Sequence, residues 1–206
     1  MSIASDVEFV SCVLDAYAVR AWRMDVVSDD SADACVPSEM QVGEVNEDGW
    51  VEWRMLPSAL AETDVIDLEK EFGFEFPPLF RAYLLARFHF FRQVKSTRYD
   101  QQILIPEISS RNPLKPIRDL ITAWQPLIEA DFIPLAEWGD GWGPMCFDVL
   151  ARKEDGDCPI VWMDHEIIIP LGEDACRERT AVAPHARLLY ASFREFLGDV
   201  FSLPEK

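Results

Sequence analysis

The stretch Phe132-Ile133-Pro134-Leu135-Ala136-Glu137-Trp138-Gly139-Asp140-Gly141-Trp142-Gly143-Pro144-Met145-Cys146-Phe147-Asp148, followed after a charged gap by Pro159-Ile160-Val161-Trp162-Met163-Asp164-His165-Glu166, decides the fold. Three short apolar runs are separated by Gly-rich and Asp-rich turns, the pattern of an antiparallel β-meander. Tryptophans and carboxylates fall where turns meet strands. The stretch holds no nucleophile beside a base, no phosphate loop and no metal-ligand spacing, so it reads as a recognition surface rather than a catalytic one.

Helical periodicity dominates on the N-terminal side of the meander. Val7, Val10, Val13, Leu14, Tyr17 and Ala21 recur at three- and four-residue spacing and predict an amphipathic helix over 6–22. The polar, acidic run from Ser28 to Ser38 predicts a loop. Val42 to Leu56 predicts a hairpin turning at Asn46-Glu47-Asp48-Gly49, with Val51, Trp53 and Met55 alternating with Glu52 and Arg54. A helix with Val65, Ile66, Leu68 and Phe72 as its apolar stripe, capped by Ser58 or Thr63, is expected to end at Gly73. Pro77-Pro78 then opens a second helix carrying Leu79, Phe80, Tyr83, Leu84 and Phe88. Ile103–Ile108 is a short strand candidate. Ile117 to Glu129 predicts a helix that Pro126 ends or kinks near Trp124. After the meander, Ile167-Ile168-Ile169 forms another apolar run, and Ser192 to Phe201 predicts a last helix lined by Phe193, Phe196, Leu197 and Val200. This order gives an α+β domain, an antiparallel sheet packed by helices, and not a βαβ repeat.

Composition narrows the class. A chain of 206 residues with 49% hydrophobic and 12% aromatic residues can bury a core of its own. No apolar run approaches the roughly 18 residues of a membrane span. Met1-Ser2-Ile3-Ala4-Ser5-Asp6 has neither a basic region nor an apolar one, so no signal peptide is expected. Cys12, Cys35, Cys146, Cys158 and Cys176 are an odd set without a C-x-x-C pair; reduced thiols in a cytoplasmic protein are the simplest reading. Nineteen Lys and Arg against 37 Asp and Glu give a net charge of -18. Such a field repels nucleic acid and anionic lipid and attracts basic partners, and it equally keeps a protein soluble.

Two segments, taken together, resemble a known family. Ile66-Asp67-Leu68-Glu69-Lys70-Glu71-Phe72-Gly73-Phe74-Glu75-Phe76-Pro77-Pro78-Leu79-Phe80-Arg81-Ala82-Tyr83-Leu84 resembles the opening helices of the SMI1/KNR4 (SUKH) superfamily. Phe132–Ala136, Trp138-Gly139-Asp140, Cys146-Phe147-Asp148, Pro159-Ile160-Val161 and His165-Glu166 resemble its central strands, and Ser192-Phe193-Arg194-Glu195-Phe196-Leu197 its closing helix. The likeness covers roughly 57–201, in order, and divides the chain into an N-terminal helix and β-hairpin extension (1–56) and an SMI1/KNR4-like domain (57–206). His89-Phe90-Phe91-Arg92 stands where the family often has a polar Asn-Gly stretch. The resemblance implies a non-catalytic immunity protein that binds and neutralises a bacterial toxin domain, or, as in fungal relatives, a regulatory scaffold.

The partner-binding candidates are Trp138, Asp140, Trp142, Asp148, Asp164, Glu166 and Trp50. Large rigid rings and exposed carboxylates suit an interface with a basic protein. For Trp138 and Asp140 the alternative is structural: a core indole, and a carboxylate holding the Gly139–Gly141 turn. Trp142, between two glycines, belongs at an exposed tip. Asp164, His165 and Glu166 are the one place where a His lies between two carboxylates. Neighbours in a strand point to opposite faces, so the group makes a poor metal cage or acid–base pair and reads as a polar strand end or a partner contact. Asp29, Asp30 and Asp33, with Glu44, Glu47 and Asp48, form a second acidic patch or simply a solvated face. Phe88, Phe90 and Phe91 are expected in the core, as is Cys146. No catalytic residue, metal or cofactor is expected.

Overall fold

The computed structural model describes residues 3–27 and 35–201. Asp29, Asp30 and Asp33 of the expected acidic loop lie outside the described residues. The N-terminal apolar stripe produces α1 (Ile3–Ala18), where Val10 and Leu14 are fully buried. β1 (Met24–Val26), β2 (Gln41–Val42) and β3 (Trp50–Trp53) make a small antiparallel sheet in the order β1-β3-β2. The turn before β3 forms as its residues predict. The Asn46 side-chain oxygen accepts from the Asp48 and Trp50 amides at 3.0 and 2.8 Å, and Gly49 takes φ +80°. β1 is an addition: three residues are too few to display alternation.

β4 (Leu56–Pro57) leads into α2 (Glu62–Phe72), whose N-cap is Ala61 rather than Ser58 or Thr63. The Asp64 carboxylate accepts from the Ala61 amide at 2.8 Å, and Gly73 closes the helix at φ +76°. α3 (Pro78–Ala86) follows the double proline. A buried carboxylate fixes the angle between these helices. Glu69 accepts from the Phe76 amide at 2.7 Å and from Arg81 Nε at 2.6 Å, so the Glu of this helix-Gly-Pro-helix motif has a defined structural task. Phe88 is buried as expected, but on β5 (Arg87–Phe88) rather than on α3, because the chain becomes extended at Arg87 and pairs with β4.

β6 (Gln93–Ser96) and β7 (Gln101–Leu104) come next. The strand expected to reach Ile108 stops at Leu104, ahead of Pro106, and Ile108 pairs singly with His89. α4 (Lys115–Ala123) ends at Trp124 and α5 (Pro126–Glu129) restarts at Pro126, as expected. The meander forms as β8 (Phe132–Trp138), β9 (Pro144–Asp148) and β10 (Ile160–Trp162). The Ile167–Ile169 run does not extend it. Asp164 caps α6 (His165–Ile168), and Pro170 and Gly172 hold the next turn in a 3-10 form. α7 (Glu173–Cys176), α8 (Arg179–Val182), β11 (Arg187–Tyr190) and α9 (Phe193–Val200) are the last elements of the described residues.

Six strands form one fully antiparallel sheet, ordered β11-β10-β9-β8-β7-β6, with helices on both faces. Along β9 the period of two divides the core: Met145 and Phe147 join the larger cluster with Phe80, Phe193 and Leu197, and Cys146 joins a second with Leu127, Phe132, Val161 and Ile168. Pro134 stands opposite Cys146 where the β8–β9 register shifts, the kind of irregularity at which a central strand tolerates a residue without an N–H. Val10, Leu14, Val51 and Trp53 of the N-terminal segment pack into the larger cluster with α3 and α9, so residues before 57 share the main core. Among the described residues, no helix is long and apolar enough to cross a membrane.

Candidate functional site

The tip of the β8–β9 hairpin is a short loop closed by its own backbone. The Trp142 amide donates to the Trp138 carbonyl at 2.9 Å, and the Trp138 amide to the Gly143 carbonyl at 3.0 Å. Trp138 is buried, with its ring against Tyr99 and Trp162, and anchors the tip from within the fold. Trp142 is 55% exposed. Its carbonyl accepts from Trp162 Nε1 at 3.1 Å and from the His165 amide at 3.3 Å. The exposed indole therefore rides on a backbone held from two directions. An anchor whose frame is ordered before binding loses little entropy on docking.

Gly143 is the residue that allows this. It takes φ +115°, and a Cβ there would stand 2.1 Å from the Met163 carbonyl oxygen and 2.8 Å from the His165 nitrogen. Both are backbone atoms, so the contact cannot be relieved by a side-chain rotation. Gly143→Ala should destabilise the protein by about 2–3 kcal/mol and displace the tip from the 163–165 segment. Chemical denaturation together with Trp142 fluorescence measures both; an unchanged midpoint would contradict the close approach.

Three carboxylates belong to the Trp142 turn and to the segment bonded to it. Asp140 is exposed and makes no side-chain hydrogen bond among the described residues, so backbone bonds and glycine conformations hold the turn without it. Asp164 is the N-cap of α6 and accepts from the Glu166 amide at 2.9 Å, leaving 35% of its side chain exposed. Glu166 is exposed in the first turn of α6. Asp164, His165 and Glu166 therefore do not alternate across a strand end; they open a helical turn whose His165 amide is bonded to the Trp142 carbonyl.

The other candidates are elsewhere. Asp148 lies at the far end of β9, where Arg179 Nη2 donates to both carboxylate oxygens at 2.8 Å while its guanidinium covers the Phe132 ring at 4.4 Å. That carboxylate is committed inside the fold and joins β9 to α8. Trp50 is 40% exposed on the small N-terminal sheet, in the wall of a separate cleft that also holds the 80% exposed Trp22. Sequence reasoning missed the exposed side chains of Ile167, Ile169 and Leu171, which follow directly on the tip-bound segment. The signal was their interruption by Pro170 and Gly172, which an apolar run in a buried strand would not carry.

Among the described residues, no group of three or more His, Cys, Asp and Glu side chains is placed to hold a metal ion. Burial pushes the thiols of Cys146, Cys158 and Cys176 up, away from the thiolate form a nucleophile needs. What the arrangement offers is an apolar anchor rimmed by negative charge, which suits contact with a basic surface. No family model matches this chain, and no curated protein matches it.

Proposed function

We propose that this chain is a non-catalytic binding protein of SMI1/KNR4 type that acts in the cytoplasm as an immunity protein, neutralising a basic, nuclease-like toxin domain by direct stoichiometric contact. The observation that carries the reading is the exposed Trp142 on its braced turn, bordered by Asp140, Asp164 and Glu166, on a chain of net charge -18. A nuclease presents cations arranged for phosphate. An acidic, aromatic-bearing surface meets those cations without offering a scissile bond, and its field speeds encounter.

Tagged protein incubated with native-host lysate, washed at low and then high salt, tests the proposal. A basic nuclease-like domain in about equal amount, loosened by salt, is the expected result. A signalling enzyme or cell-envelope factor in its place would favour a regulatory scaffold. Against the captured partner, Trp142→Ala is expected to weaken binding by about 2 kcal/mol, or roughly thirtyfold, with the folding midpoint unchanged because the ring is mostly exposed. Joint Asp140→Lys and Glu166→Lys substitution should lower the association rate more than it raises the dissociation rate. Equal capture by the Trp142→Ala variant would remove this face from the interface.

A further inference from the structure

The segment bonded to the Trp142 turn runs on, through α6 and the 3-10 turn, to a half-open cleft between α5 and α7. The cleft encloses about 270 Å³, with Trp124, Pro126, Leu127, Ile168 and Cys176 among its lining. Leu127 and Ile168 are almost wholly buried and form a firm apolar floor. Cys176 Sγ already donates to the Ile168 carbonyl at 3.4 Å, so the floor presents no free polar group at that point. Ile169, 60% exposed, is part of the lining, and Ile167 and Leu171 of the same short segment are exposed as well. Exposed apolar side chains so close together mark a contact surface rather than ordinary solvated scatter.

Charge decides what this surface can receive. From Asp164 to Glu178 the chain carries five carboxylates, Asp164, Glu166, Glu173, Asp174 and Glu178, against one cation, Arg177. Arg177 is held by Glu129 and lies 4.0 Å from Glu173, whose own side chain is 83% exposed. A second copy of this chain would bring the same carboxylates to the same place, and an anionic lipid surface would be repelled as well. The volume is at the small end of the roughly 300–1,000 Å³ range of small-molecule pockets. One large side chain fits it better.

We infer that the cleft between α5 and α7 is the anchor pocket for a basic protein partner, receiving one large apolar side chain flanked by lysine or arginine. The apolar group fills the floor over Leu127 and Ile168, while the flanking cations meet Glu173 in the cleft wall and the carboxylates of the adjoining acidic segment. The 165–173 segment then links the Trp142 turn to this pocket. This inference rests on the binding role proposed above and adds the chemistry of the segment that is bound.

The test is titration of the ¹⁵N-labelled full chain with the peptide acetyl-Arg-Lys-Phe-Arg-Lys-amide, followed by amide chemical shifts. Saturable shifts confined to 122–127 and 166–177 are expected, with affinity lowered at least tenfold when the Phe is replaced by Gly or the cations by Glu. Ala123→Trp, placed at an exposed position in the cleft wall, should lower affinity for the Phe peptide by a similar factor and leave the folding midpoint unchanged. No saturable shift, shifts centred on Trp22 and Trp50, or undiminished affinity in Ala123→Trp would each overturn the pocket. If lysate capture returns a basic domain that Ala123→Trp binds as well as wild type, the pocket fails and the proposed function stands. If capture returns no basic domain, that function fails, and the peptide titration still decides the pocket.

Discussion

Asp199→Ala is expected to destabilise the protein by about 4 kcal/mol, a loss typical of removing one partner from a buried, charged hydrogen-bond network. Asp199 sits in the last turn of α9 and is 9% exposed. One carboxylate oxygen accepts from Ser96 Oγ at 2.6 Å and the Tyr190 hydroxyl at 2.8 Å. The other accepts from Thr97 Oγ1 at 2.6 Å and from the Thr97 and Arg98 amides, both at 3.0 Å. Ser96 ends β6 and Tyr190 ends β11, the two outermost strands of the sheet. A single side chain therefore ties both edges of the curled sheet to the helix that closes the chain.

Burial alone would raise the Asp199 pKa, but the donors from Ser96, Thr97, Tyr190 and Arg98 outweigh it and hold the carboxyl below its ordinary value. The stabilisation is present at neutral pH and is lost as pH falls through that lowered value. Asp199→Asn should cost less than Asp199→Ala, since it keeps one acceptor oxygen while turning an NH₂ toward donors. Urea denaturation with near-ultraviolet circular dichroism reads both variants. A loss under about 1 kcal/mol for the alanine variant would mean that the network contributes little net stability.

The second large effect is an acid limb set by His89. This histidine is fully buried, and its Nδ1 accepts from the Phe91 amide at 3.2 Å, which places the proton on Nε2. Among the described residues Nε2 has no hydrogen-bond partner, and the rings of Tyr83 and Phe91 pack against the imidazole. Burial pushes the His89 pKa down to about 3. Because the unfolded chain takes up a proton at its ordinary value near 6.5 and the folded chain does not, stability is full above that pH and falls as pH drops toward 3. The expected slope is roughly 1 kcal/mol or more per pH unit, reaching about 4 kcal/mol.

Denaturation midpoints measured from pH 7 to pH 4 in wild type and in His89→Asn separate this limb from carboxylate titration. The asparagine oxygen offers an acceptor near the Nδ1 position and carries no titrating proton. The variant should lose stability at pH 7 and show a flatter slope between pH 6 and 4. An identical slope in both proteins would assign the acid limb to other groups.

Much of this molecule was legible because its signals are local. Gly73 and Pro77-Pro78 punctuate α2 and α3 through backbone conformations that those residues favour, and Pro126 breaks the helix after Trp124 through the N–H it lacks. The glycines flanking Trp142 exposed that ring where their spacing placed it. β1 and β11 were hidden because strands of three and four residues show too little alternation. Phe88 was assigned to a helix because apolar spacing does not reveal where a chain turns extended to meet β4.

The site divides along the same line. The residue types of a recognition tip, an indole between glycines with carboxylates on either side, could be read from the chain by itself. Which carboxylates are free for a partner could not. Asp148 and Asp164 look alike in sequence, yet the fold brings Arg179 onto the first and a helix start onto the second. Alternation and turn chemistry act within a few residues, so the sequence alone specified the antiparallel meander and its tip. Ion pairs, caps across elements and the cleft beside α7 depend on side chains that meet only after the sheet has curled and the helices have packed, and the tertiary structure alone decided those.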